Sequence, residues 1–249
     1  MMNTSDRSSL YAEGMNQNLL SEHLKTSQIL LTAGIIITLT ALIFGGYLLL
    51  ALGLRITGET VSSTLPYAIL LFSVLVPVAL LILRRKFGLG WGDLGVVRPS
   101  KRLVHLFWQI PAAFVVVVTV QVLFVTLVLG GQNPTGSSSV DDMSGIPFAS
   151  QLALFISMAV LTPFWEELFF RGFLWNWLSR SLSPVVVVVL TALVFAVCHG
   201  VPVLLPYMVT VGLCLGYLRW FHRSIWGSLA FHMVLNTMIS GVALLAVAG

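Results

Sequence analysis

Of 249 residues, 57% are hydrophobic and only 9% charged, whereas an average soluble domain is about a quarter charged. With a mean hydropathy of +0.97, that balance excludes an ordinary soluble fold. The net charge of +4 arises from 13 Lys and Arg against 9 Asp and Glu, and the basic residues fall between apolar runs, where they set membrane topology rather than bind nucleic acid.

Residues 1–27 are polar and mixed in charge, with Asp6, Arg7, Glu13, Glu22 and Lys25. A secretory signal would run from a basic stretch straight into a short apolar core, so this segment reads as a cytoplasmic tail. Apolar runs then predict spans near 28–53, 64–83, 103–130, 149–178, 184–200, 202–222 and 225–248. The fold class is therefore all-α, a polytopic transmembrane bundle of about seven or eight spans, with residues 28–249 forming one domain. A re-entrant segment near Gly200-Val-Pro-Val-Leu-Leu-Pro206 is the alternative for the C-terminal half.

The connection at 83–103 carries Arg84, Arg85, Lys86, Arg98, Lys101 and Arg102, which marks it as cytoplasmic. The turn-rich loop at 131–147 carries Asp141 and Asp142 and no Lys or Arg, so it faces outside. Alternation then places the N-terminus inside, with Arg180, Arg219 and Arg223 on the inner side and Arg55 outside. Cys198 and Cys214 both fall in spans and read as small buried hydrophobes. Gly212 and Gly216 form a GxxxG, a pattern of close helix contact.

The fourth run breaks its own hydropathy at Pro163-Phe-Trp-Glu-Glu-Leu-Phe-Phe-Arg171. Ionisable side chains at membrane depth are costly and mark functional sites. Glu166 and Glu167 are neighbours, so on a helix they point about 100° apart and do not easily address one target. Glu167 and Arg171 are four apart, with Glu first, the better order for a helical ion pair. That pairing leaves Glu166 free to face a cavity. Pro163 should kink the span, either opening a wet pocket at Glu166 or standing as an ordinary tolerated membrane proline. Trp175 and Trp177 would mark the membrane interface or equally pack in the core.

Ser181-Leu-Ser-Pro184 reads as a turn. Glu166 lies 16 residues before Leu182 and His199 lies 17 after it, so an antiparallel hairpin sets them level, about 25 Å from the turn. In the last span His232 and Asn236 share a face. His232 sits only seven residues into that span, nearer the inner side than the hairpin count gives for Glu166; tilt or a longer hairpin would close the gap.

A carboxylate, two imidazoles and a carboxamide suit activation of water against an amide carbonyl. Glu166 would act as general base, His199 would orient the water or share the proton, and His232 and Asn236 would donate to the oxyanion. Neither a Gly-x-Ser-x-Gly elbow nor a His-Glu-x-x-His zinc motif is present. Glu166, His199 and His232 could still supply three zinc ligands.

Glu166-Glu167-x-x-x-Arg171, Phe195-x-x-x-His199 and His232-x-x-x-Asn236 resemble the three motifs of the CPBP family, the CAAX prenyl endopeptidases and bacteriocin-processing or self-immunity (Abi) proteins. The resemblance covers about 150–245. It implies an intramembrane endopeptidase with catalytic Glu166, His199, His232 and Asn236, and with Glu167, Arg171 and Phe195 supporting them. It implies a glutamate mechanism with no cofactor, zinc being the variant. Its partners would be membrane lipid and a membrane-associated or prenylated substrate, and its place the plasma membrane, with the site open to the cytoplasm. A non-catalytic scaffold or immunity protein of the same fold, or a proton-coupled transporter, are the rival readings; no repeated halves support transport.

Overall fold

The structure, a computed structural model, describes residues 25–55, 58–131 and 146–248, with side chains described to residue 241. Most of the tail at 1–27 and of the loop at 131–147, including Asp141 and Asp142, lies outside these residues. Seven helices run through the described chain: α1 (Thr26–Gly53), α2 (Gly58–Lys86), α3 (Leu106–Leu127, led in by a 3-10 turn from Lys101), α4 (Phe148–Leu178), α5 (Pro184–Cys198), α6 (Leu205–His222) and α7 (Ile225–Ala248). Each coincides with an apolar run of the sequence to within a few residues, except that α2 begins six residues earlier than its apolar run. Punctuation explains the sharpness. Pro184 opens α5 after an extended Ser183, and Arg223 in a left-handed conformation closes α6.

The expected number of spans is not matched one for one. α1, α2, α3, α4 and α6, with the short turns leading into α3 and α6, are long and apolar enough to cross a membrane, and the chain is an integral membrane protein. α5 has 15 residues, about 22 Å against a hydrocarbon core of about 30 Å. The segment at 200–206 is a short 3-10 turn, Pro202–Leu204, that returns the chain directly from α5 into α6.

The core gathers around the second half of α4. Leu168, Phe170 and Phe173 are buried there with Phe195 of α5, Leu215 and Leu218 of α6, Ile225 and Phe231 of α7, and Val76 and Leu80 of α2. α1 and α3 lie at the periphery with mostly exposed apolar faces, as lipid-facing helices do. The GxxxG joins α6 to α5 within the chain: a Cβ on Gly212 would stand 2.8 Å from the Ala192 Cα. Small residues are what this approach requires.

One end of the bundle collects the basic connections. Trp177 near the end of α4 donates from Nε1 to Thr26 Oγ1 at the start of α1 (3.3 Å). The amide of Ile225, the first residue of α7, donates to the carbonyl of Gly95 in the α2–α3 connection (3.0 Å). The opposite end is joined by Tyr47 to Thr64 (2.7 Å) and by Ser150 to the Ser63 carbonyl (2.7 Å). Arg84, Arg85, Lys86, Arg98, Lys101, Arg102, Arg180 and Arg223 thus share one end and Arg55 marks the other.

Candidate active site

Two π-helical turns interrupt α4, at Ser157–Leu161 and at Glu167–Leu174, with an α-helical turn at Thr162–Glu166 between them. The first has a traceable cause. In it the amide of Thr162 bonds to the Ser157 carbonyl, five residues back. The same pattern would pair the Met158 carbonyl with the amide of residue 163, but that residue is proline and has no N–H. Asn236 Nδ2 supplies the missing donor at 2.8 Å. Pro163 shows in its contacts a consequence other than a kink. It is buried, and it frees a carbonyl that anchors the Asn236 side chain.

The second π-helical turn begins at Glu167 and holds the acid–base groups. Glu167 and Arg171 are wholly buried and joined at 3.1 Å between Oε1 and Nη1, as the four-residue spacing requires. Arg171 Nη2 also donates to the Gly212 carbonyl of α6 (3.1 Å). Glu166 is 6% exposed and points to the neighbouring helices. His199 Nε2 lies 3.9 Å from its Oε1 and His232 Nε2 lies 3.6 Å from its Oε2.

The tautomers follow from the acceptors. His199 Nδ1 lies 2.8 Å from the Phe195 carbonyl, which only accepts, so Nδ1 carries a proton. His199 is the last, capping residue of α5, and its ring folds back along its own helix to aim Nε2 at α4. His232 Nδ1 lies 3.1 Å from Glu167 Oε1 and donates to it. Both imidazoles thus present Nε2 to Glu166. Here the expectation about the paired glutamates needs correcting. They do address one target, because His232 meets Glu167 at one ring nitrogen and Glu166 at the other.

Phe195 is the hub beneath this set. Its ring centroid is 4.5 Å from that of His199, 5.9 Å from that of His232 and 5.3 Å from that of Phe170. The Arg171 guanidinium lies over it at 4.8 Å. The structure therefore brings Glu166, Glu167, Arg171, Phe195, His199 and His232 together, with Asn236 one turn beyond His232 and tied to α4. His199 has a side chain 26% exposed while Glu166 and His232 are nearly covered, so the open edge lies on the His199 side. Among the described residues no group of three or more His, Cys, Asp or Glu is placed to hold a metal ion.

Two further residues lie beside the site. Arg219, expected on the inner side, is a buried residue of α6. Of the two readings of Trp175, interface or core, the core holds: it is buried with the Arg219 guanidinium 5.4 Å from its ring centroid. The signal for Arg219 was in the sequence: a charge within an apolar run is the same argument that singles out the glutamates.

Neither a curated protein nor a solved structure matches the chain. Residues 148–238, which run from the first residue of α4 to two residues past Asn236 and so hold every group of this cluster, match the Rce1-like family, described as type II CAAX prenyl endopeptidase Rce1-like.

Proposed function

We propose that the protein is an intramembrane endopeptidase that hydrolyses a peptide bond of a membrane-associated or prenylated substrate with water activated by Glu166 and His199. The observation that carries this reading is the pair of Nε2 atoms, 3.6 and 3.9 Å from the two oxygens of a buried carboxylate. These separations exceed a hydrogen bond and suit a water held between carboxylate and imidazole. Glu166 takes a proton from that water as hydroxide adds to the scissile carbonyl, and the proton passes to the leaving amine.

The same geometry supports the proposed oxyanion donors. Asn236 Nδ2 has two protons. One is committed to Met158, which fixes the amide and leaves the other for a developing oxyanion. His232 would donate from Nε2 in its doubly protonated form, with Nδ1–H kept on Glu167. By the excess of Lys and Arg at one end of the bundle, that end faces the cytoplasm and the site is reached from there.

A zinc variant would use Glu166, His199 and His232 as ligands. Both Nδ1–H groups are held by oxygen acceptors, as in metal-bound histidines, but the three side chains as they stand are not placed to hold an ion. The deciding experiment incubates purified protein with an internally quenched farnesylated peptide ending in a CAAX tetrapeptide, alongside Glu166→Gln and a metal analysis. Cleavage should be lost by at least about a hundredfold in the variant, with its melting temperature kept and no stoichiometric metal in the parent. Full activity in Glu166→Gln would refute the base assignment, and one zinc per chain lost on substitution would establish the metal variant. No cleavage by the parent of this or other membrane peptides would leave a non-catalytic scaffold.

A further inference from the structure

The geometry points to Arg219 of α6 as a positioning residue of this site, one that acts by gripping the second π-helical turn of α4. The inference rests on the endopeptidase reading above. Arg219 is 7% exposed. Its Nε donates to the Arg171 carbonyl (2.9 Å), and its Nη2 lies 3.4 Å from the Asn176 side-chain oxygen. Residues 171 and 176 are five apart, one turn of the π-helical winding that ends at Leu174. One planar guanidinium thus bridges the place where α4 returns from π to α geometry.

α6 holds Arg171 at both of its ends. Gly212 accepts from its guanidinium, and Arg219, two turns further along the same face of α6, donates to its carbonyl. Arg171 in turn fixes Glu167, Glu167 fixes His232, and His232 meets Glu166. Arg219 also lies within electrostatic reach of Glu167. It completes a set of two carboxylates and two guanidiniums around the two imidazoles, a balance that buried charges require.

The α2–α3 connection closes over the grip. Gly95 has φ +69°, and a Cβ there would stand 2.9 Å from Arg219 Nη2. Only a residue without a side chain adopts that conformation at no cost and lets the backbone lie against the guanidinium. The Gly95 carbonyl then pairs with the first amide of α7. The connection, the π-helical turn and the helix carrying His232 are thereby set against one side chain.

The test compares the full chain with Arg219→Lys and Gly95→Ala. Lysine keeps the charge but lacks the planar fork that reaches two acceptors. On the quenched farnesylated peptide, Arg219→Lys should lose about tenfold or more in kcat with KM within about twofold, the signature of a misplaced catalytic group rather than of lost substrate contact. Backbone hydrogen exchange should rise over 167–178 and stay unchanged over 26–53. Gly95→Ala should show the same pattern more weakly. A kcat within about twofold of the parent, or exchange that rises evenly across all helices, would overturn the assignment. If the parent cleaves no peptide, the endopeptidase reading fails by itself; the exchange pattern then still decides whether Arg219 holds the turn.

Discussion

At the residue scale, the two adjacent glutamates differ by what already touches them. Glu167 accepts from Arg171 and His232 through one oxygen, whereas neither imidazole nitrogen near Glu166 comes within hydrogen-bonding distance. Glu167→Gln should therefore destabilise the protein by on the order of 3 kcal/mol, because it leaves a wholly buried guanidinium with a neutral partner. It should also lower activity, since the amide no longer holds the His232 Nδ1–H as firmly. Arg171→Gln should cost a similar amount, and the double variant less than the sum, as residues in contact do. Melting curves of the four proteins measure this coupling; strict additivity would show the pair to be independent. The i,i+4 spacing made this pair legible in the sequence. The bridge from Glu167 to His232 was not, because a helical wheel gives directions on one helix and says nothing of a two-ended imidazole arriving from another.

At the element scale, α4 is the helix that makes the site, and its departures from regular winding do the placing. Apolar runs located all seven helices, since lipid and core both favour apolar residues over the whole length of each. They could not reveal the π-helical turns. These depend on which carbonyls find donors on other helices, Met158 from Asn236 and Arg171 from Arg219. Likewise the GxxxG was legible as a contact surface, but its partner on α5 follows only from the three-dimensional path. Pro163→Ala tests the account of the first π-helical turn. Alanine restores an N–H that competes with Asn236 for the Met158 carbonyl. Peptide cleavage should fall about tenfold as the Asn236 amide loses its anchor, while the melting temperature holds or rises. A fall in both together would mean that the proline supports the fold and not the placement of Asn236.

At the scale of the whole molecule, helix lengths bear on the depth of the site. His232 lies seven residues beyond Ile225, about 10 Å from the basic end of α7, whereas Glu166 lies twelve residues before Leu178, about 18 Å from the basic end of α4. Yet the two side chains are 3.6 Å apart. With parallel axes and regular winding, the α4–α5 hairpin would reach about 8 Å further out at the basic end than the α6–α7 turn does; a difference in helix tilt would close the same gap. With the α6–α7 turn at the membrane surface, the site would lie in the nearer third of a hydrocarbon core of about 30 Å, a depth that a membrane-anchored peptide would reach without crossing. Ser181 stands exposed at the tip of the projecting hairpin. With Cys198 and Cys214, both free thiols, replaced by serine, Ser181→Cys should react with an impermeant maleimide in inside-out vesicles and stay unlabelled in right-side-out vesicles, if the cluster of Arg and Lys at that end holds it on the cytoplasmic side as the charge rule expects. Labelling confined to right-side-out vesicles would invert the orientation and place substrate approach on the outer face.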